Sequence, residues 1–74
     1  MPVPDEILRR LAVHIHRLRL ERGLTQEAFA HELDMHRAYV GSIERAEQNV
    51  TLKTLAQLAG RLGVDPADLI KPIG

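Results

Sequence analysis

The chain has 74 residues, ten acidic and ten basic residues, and no cysteine. A chain of this length forms one domain with a thin core, because folding buries only roughly 60% of its unfolded surface. Without cysteine the chain can form neither disulfides nor thiolate-bound zinc sites, which favours a cytoplasmic protein. The sequence contains no apolar run of roughly 18 residues and no signal-like N-terminus, which argues against membrane spans and secretion.

The first predicted helix runs from about Asp5 to Arg22. Pro4 stands at its entrance, and the acidic Asp5 and Glu6 suit the positive end of the helix dipole. Apolar residues recur at spacings of three and four, which predicts a core-facing stripe made of Ile7, Leu8, Leu11, Ile15 and Leu18. The basic residues are expected largely off this stripe, as a solvated face or a supporting phosphate contact: Arg9, Arg10, His14, His16 and Arg17. Gly23 fits the left-handed residue that ends the helix.

The stretch from Thr25 to Arg45 predicts two short helices with a tight break. Thr25 is the expected N-cap of a helix over 26–33, and a second helix covers 37–45. The first has an apolar face with Phe29 at its centre, and the second has another around Val40. Only three residues, 34–36, separate the two helices, so the stretch predicts a helix-turn-helix hairpin.

The outward positions of the second hairpin helix are small, polar or cationic, and none is acidic: Arg37, Ala38, Gly41, Ser42 and Arg45. Such a surface suits approach to a DNA groove. The nearby acids Glu27, Glu32 and Glu47 must then point elsewhere. Zero net charge counts against a purely electrostatic DNA binder and predicts weak non-specific binding.

The remainder of the chain predicts two further helices. Thr51 is the expected cap of a helix over 52–62 with a wide apolar stripe, and Asp65-Pro66 begins a short helix over 66–70. No strand pattern is present. The sequence therefore predicts an all-α, compact five-helix domain over residues 1–74.

In this order and spacing, several residue groups resemble the Cro/CI (XRE-type) helix-turn-helix family, whose fold is the five-helix, lambda repressor-like DNA-binding domain. The resemblance covers about Ile15 to Ile70. Its anchors are Ile15, Leu18, Arg19, Gly23-Leu24-Thr25-Gln26, Phe29-Ala30, Tyr39-Val40, Ile43-Glu44-Arg45, Asn49, Leu52, Leu55, Leu58-Ala59 and Leu62-Gly63-Val64. The segment 36–45 is also similar to the controller proteins of restriction–modification systems, which are dimeric domains of about this length.

The resemblance implies roles for individual positions. The base-reading positions of the recognition helix correspond to Arg37, Ala38, Gly41 and Ser42. The phosphate-binding positions correspond to Gln26, Tyr39, Arg45 and Asn49, although a plain surface glutamine is the alternative for Gln26. Arg19 and Glu44 correspond to an internal ion pair that ties the first helix to the third. Of the base readers, Arg37 is our choice for a guanine edge.

Some positions depart from the family pattern. Asp34 stands where glycine usually follows the second helix, and Asp accepts the left-handed conformation better than most residues. His36 replaces the usual Ser or Asp cap of the third helix, which predicts a weak cap. Ala38 removes a possible hydrogen bond to DNA, so the operator sequence stays open. Ala46 and Val50 replace a usual Gly and Pro.

The resulting hypothesis is a transcriptional regulator that binds operator DNA as a homodimer, with neither enzymatic activity, cofactor nor small-molecule ligand. Candidate dimer residues are Val50, Leu52, Leu69 and Ile70, with ordinary monomer core as the alternative. His31 and His36 lie five residues apart, one too many for a metalloprotease-type zinc pair, so no metal site is expected. The alternative function is a protein-interaction module, such as an antitoxin or adaptor, although we see no spare length for a partner-wrapping segment.

Overall fold

A computed structural model describes residues 4–74, which form four α-helices followed by one 3-10 turn and contain no strand. The elements are α1 (Pro4–Glu21), α2 (Gln26–Leu33), α3 (Arg37–Glu44), α4 (Leu52–Leu62) and the 3-10 turn (Pro66–Leu69). The predicted all-α class is confirmed, but the count of five helices is not, because the predicted helix over 66–70 is a short 3-10 element and not an α-helix. Asp65 caps the last element, whose amides then reach back only three residues, from Asp68 to Asp65 and from Ile70 to Ala67.

Local signals in the sequence set the helix starts. The Thr25 hydroxyl accepts a hydrogen bond from the Ala28 amide at 3.1 Å, and the Thr51 hydroxyl accepts one from the Thr54 amide at 3.0 Å. Each bond satisfies an amide that has no partner inside its helix, which is worth about 1 kcal/mol. The predicted caps of α2 and α4 are therefore confirmed.

The break between α2 and α3 is a left-handed turn at Asp34. Asp34 has φ 56° and ψ 47°, and the amides of Asp34 and Met35 donate to the carbonyls of His31 and Ala30. These bonds satisfy the last carbonyls of α2. His36 then begins α3 without any side-chain cap hydrogen bond. Both expectations for this turn are confirmed, and together they fix the direction in which α3 leaves α2.

The core lies behind α3. Phe29 of α2 is fully buried, and α1 and α2 both pack against α3. The other fully buried large side chains are Leu11, Ile15, Leu33, Val40, Ile43, Leu58 and Leu69. Burying each such side chain contributes roughly 1.5–3 kcal/mol, so the packed inner face of α3 holds its outer face towards solvent.

The expectation that the basic residues of α1 are solvated was wrong for His14. Its side chain is buried, and its Nε2 donates to the Lys71 carbonyl at 3.0 Å while its Nδ1 accepts from Arg17 at 3.2 Å. Arg10 reaches the Ile70 carbonyl at 3.5 Å. The C-terminal segment returns alongside α1, so these side chains fasten it to the domain.

Candidate nucleic-acid interface

The outer surface of the hairpin contains a concavity without any carboxylate, which we call the α3 concavity. It is lined by Gln26, His36, Arg37, Ala38, Gly41 and Arg45. Arg37 and Ala38 are exposed, and Arg37 makes no ion pair within the part of the chain that the structure describes. Two guanidinium groups and an amide therefore face the same side of the molecule.

Gly41 was expected on the surface, but it is buried under two neighbouring side chains. A Cβ atom added there would lie 3.1 Å from Arg45 Nη1 and 3.5 Å from Gln26 Oε1. The absence of a side chain at this position lets Gln26 and Arg45 approach each other across α3. Gly41 therefore shapes the floor of the α3 concavity and offers no group of its own above it.

Ser42 is half-buried and is held within the protein. Its hydroxyl donates to the Tyr39 carbonyl at 2.7 Å and lies 3.1 Å from Gln48 Oε1. Gln48 could not be identified from the sequence, because this contact depends on how the loop after α3 turns back. A hydroxyl that donates internally offers a base its acceptor lone pairs more readily than its proton.

The four predicted phosphate contacts occupy different settings. Gln26 is the first residue of α2, and Tyr39 is half-buried against the core. Asn49 is exposed in the loop that follows α3. Arg45 is exposed but donates to Glu47 at 2.9 Å, so the expectation that Glu47 points elsewhere was wrong. Glu27 and Glu32 lie outside the α3 concavity on the exposed face of α2.

Arg19 and Glu44 form a two-bond ion pair between α1 and α3. Arg19 Nε donates to Glu44 Oε2 at 2.8 Å and Nη2 donates to Oε1 at 3.0 Å. The Glu44 side chain is only 5% exposed and the Arg19 side chain 13% exposed. Arg19 also donates to the Leu24 carbonyl at 3.0 Å, which fixes the link between α1 and α2.

The Glu44 carboxylate accepts hydrogen bonds from three side chains, two on α1 and one on α2. Besides Arg19, it accepts from His16 Nδ1 at 2.8 Å and from Gln26 Nε2 at 3.5 Å. Burial raises the pKa of Glu44, but hydrogen bonds from Arg19 and His16 together with the Arg19 charge outweigh burial and leave that pKa below its ordinary value. Hydrogen bonding to Glu44 conversely raises the pKa of Arg19.

The sequence missed the part that His16 takes in this cluster. His16 lies three residues before Arg19 on α1, a spacing that places both side chains on one helix face. Once Arg19 was predicted to pair with Glu44, that spacing could have indicated that His16 also reaches the Glu44 carboxylate. Gln26 is therefore held by the same carboxylate that ties the C-terminal end of α3 to α1.

The four candidate dimer residues differ in exposure. Leu52 is 84% exposed at the start of α4, whereas Val50 and Ile70 are half-buried against the core. Leu69 is fully buried within its own chain, so its inclusion was wrong and it belongs to the monomer core. The short 3-10 turn places this side chain under α1 and α4 instead of at the surface.

Two further features are absent from residues 4–74. These residues contain no group of three or more His, Cys, Asp or Glu side chains placed to hold a metal ion. None of their helices combines the length and the hydropathy that crossing a bilayer requires.

Comparison with known proteins covers most of the chain. The helix-turn-helix family matches residues 15–69. The control protein C.BamHI of Bacillus amyloliquefaciens is 39% identical over 57 residues, which are 76% of this chain and 70% of that protein.

Solved structures give the same result. The hypothetical transcription factor NHTF from Neisseria superposes with a TM-score of 0.82 at 31% identity, over 97% of this chain and 85% of that one. The restriction-modification controller protein C.AhdI from Aeromonas hydrophila superposes with a TM-score of 0.74 at 35% identity, over 84% of this chain and 94% of that one. The chain therefore belongs to the XRE-type helix-turn-helix family of DNA-binding transcriptional regulators, in which its relatives include restriction–modification control proteins.

Proposed function

We propose that this protein binds a specific operator as a homodimer in the cytoplasm, with α3 in the major groove, and regulates transcription as a controller-type protein. The α3 concavity carries the proposal. It combines the unpaired Arg37 with Arg45 and Gln26, and no carboxylate lines it. Relatives whose names describe control proteins of restriction–modification systems support the regulatory role.

In this proposal, the start of α3 reads bases. Arg37 is exposed at the first position of the helix, where a guanidinium can donate two hydrogen bonds to a guanine edge. Such a contact discriminates against other bases by about 1–3 kcal/mol. Ala38 offers apolar contact to a thymine methyl group, and Ser42 offers acceptor lone pairs to a base donor.

Phosphate contacts come from both sides of α3. Gln26 and the first amides of α2 face one backbone, since a helix N-terminus favours an anion. Arg45 can exchange Glu47 for phosphate at small cost, because both side chains are 59% exposed and such pairs contribute only about 0–1 kcal/mol. Tyr39 and Asn49 are the remaining candidates, through a hydroxyl and an amide respectively.

The proposed dimer uses the surface around Leu52. Val50 and Ile70, which are half-buried against the core, are proposed to contribute to the same surface. A two-fold dimer places two recognition helices about 34 Å apart, on half-sites roughly 10 bp apart. Occupancy then rises steeply with protein concentration, because association and DNA binding are linked.

The test begins with in vitro selection of DNA by the wild-type protein. Arg37→Ala should lose about 1–3 kcal/mol for the selected duplex and relax preference at one base position, while Gln26→Ala should weaken binding to all duplexes alike. Titrations of both variants against the selected duplex and a shuffled duplex of equal length measure this difference. If both variants bind the selected duplex as the wild type does, α3 is not the reading element.

A further inference from the structure

His36 lines the α3 concavity but has no role in the contacts considered so far. It is the N-cap residue of α3 and its side chain is exposed. On its other side, His36 also lines a second concavity together with Ala30, His31, Asp34 and Met35. His36 therefore borders both concavities and shares one of them with Arg37 and Gln26.

The imidazole is not used to hold the fold. The backbone of His36 has the extended conformation of an N-cap, with φ −70° and ψ 141°, yet its side chain makes no cap hydrogen bond. Over residues 4–74, no side-chain hydrogen bond or ion pair includes the His36 ring. Both ring nitrogens are consequently available to a partner that approaches the hairpin.

The charges that face His36 are mostly cationic. Arg37 and Arg45 face it across the α3 concavity, while His31 and Asp34 face it across the second one. The Asp34 carboxylate is shared with Arg61 of α4, at 3.6 Å. A phosphate that entered this setting would offset part of the positive charge around the imidazole and offer an acceptor to its ring N–H.

We propose that His36 donates a hydrogen bond to a DNA phosphate and takes up a proton when it does so. The inference rests on the proposed function, since it needs α3 to lie in the major groove. Phosphate is the expected partner because His36 shares its concavity with the guanidinium groups of Arg37 and Arg45, and none of the residues that line it is acidic. Affinity for DNA then rises as pH falls from about 8 to about 6, the range in which histidine changes charge.

The experiment measures how affinity depends on salt at about pH 6 and about pH 8, the two sides of the histidine range. The probes are a duplex selected in vitro with the wild-type protein and a shuffled duplex of equal length. For the wild type, the slope of log affinity against log salt should be steeper at the lower pH by about 0.9 per protomer, because each phosphate neutralised releases counterions. His36→Gln should lose this increment on both duplexes and match the wild type at the higher pH.

Two further variants separate this role from other effects. His31→Gln removes a neighbouring exposed histidine outside the α3 concavity and should keep the full pH response. His36→Ser supplies the missing cap, so its melting temperature should exceed that of the wild type while its pH response is lost. The Glu44 carboxylate stays charged at the lower pH because its pKa lies below its ordinary value, so its ion pair with Arg19 is kept.

A His36→Gln protein whose salt slope still steepens at the lower pH would overturn the proposal. A loss confined to the selected duplex would also overturn it, because that result places His36 on a base. Arg37→Ala distinguishes these failures from failure of the proposed function. If Arg37→Ala weakens specific binding while His36→Gln keeps the pH response, only the assignment of His36 is wrong.

Discussion

Replacing Glu44 with Gln should destabilise the domain strongly. The change keeps the shape of the side chain but leaves the mostly buried Arg19 guanidinium without its carboxylate. Breaking a buried pair costs about 3–5 kcal/mol, and the hydrogen bonds that Gln can still accept offset about 1 kcal/mol of this. We therefore expect a loss of roughly 2–4 kcal/mol.

This loss is large for so small a protein. At roughly 0.05–0.15 kcal/mol per residue, the whole domain is stable by only about 4–11 kcal/mol. Urea unfolding at neutral pH, followed by the helical circular dichroism signal, measures the difference directly. The melting temperature should fall by about 4–8 °C for each kcal/mol lost.

The dependence on pH supplies a second measurement of the same pair. The folded-state pKa of Glu44 is lowered, so the charged pair stabilises the fold fully above the unfolded pKa of glutamate, about 4.3. That stability is lost as pH falls through the lower, folded value. The gap between wild type and Glu44→Gln should thus be constant near neutral pH and narrow in acid.

Glu47→Gln is the matched control, since it removes an equivalent carboxylate from the exposed pair with Arg45. Its cost should stay within about 1 kcal/mol. The reasoning is refuted if Glu44→Gln costs no more than Glu47→Gln, or if the gap between wild type and Glu44→Gln persists unchanged in acid.

Two further changes test the loop after α3 and the proposed dimer surface. Ala46 has φ 59°, so Ala46→Gly should relieve about 1–2 kcal/mol of left-handed strain. Glycine has more freedom in the unfolded chain, which offsets part of this gain, so the free energy of unfolding should rise by about 1 kcal/mol. Ala38→Gly, within helix α3, should lower the free energy of unfolding, and equal effects of the two changes in urea unfolding would contradict the strain argument. The wild-type protein should sediment as a concentration-dependent dimer. Leu52→Glu should make it monomeric without unfolding it, because an acidic residue suits the first turn of α4. Leu20→Glu, at another exposed leucine on α1, should leave association unchanged. A wild type that is strictly monomeric at high micromolar concentration would remove the dimer from the proposal.

Sequence reasoning succeeded where short-range chemistry decides the structure. A hydroxyl at the N-cap reaches an amide three residues away whatever the rest of the chain does, so Thr25 and Thr51 could be identified directly. The left-handed turn at Asp34 is similar, because few other residues tolerate that conformation between two helices. The apolar spacing of α1 fixed its inner face through Leu11 and Ile15.

The errors fall where distant segments meet. His14 is buried where the C-terminal segment returns to α1, and its partner there is a carbonyl 57 residues further along the chain. No local sequence pattern predicts that contact. Leu69 was predicted to be available to a partner as part of an α-helix. Over four residues the pattern of apolar residues does not distinguish an α-helix from a 3-10 turn, and the two direct the side chain differently. Gly41 was misplaced because Arg45 and Gln26, both polar, fold over it. Helical spacing reports which side a residue faces and does not report what covers it.

Zero net charge is compatible with DNA binding because the chain distributes its ion pairs unevenly. Over residues 4–74, six of the ten acidic residues lie within ion-pair distance of an arginine or lysine. Glu44 is directed inward from α3, and Arg37 is left without a carboxylate at the other end of the same helix. In the proposed function the attraction to phosphate is concentrated at the α3 concavity, so we expect few counterions to be released on binding. We therefore expect the protein to gain little from DNA of arbitrary sequence, with discrimination by Arg37 making up a larger share of its operator affinity than in a strongly basic domain.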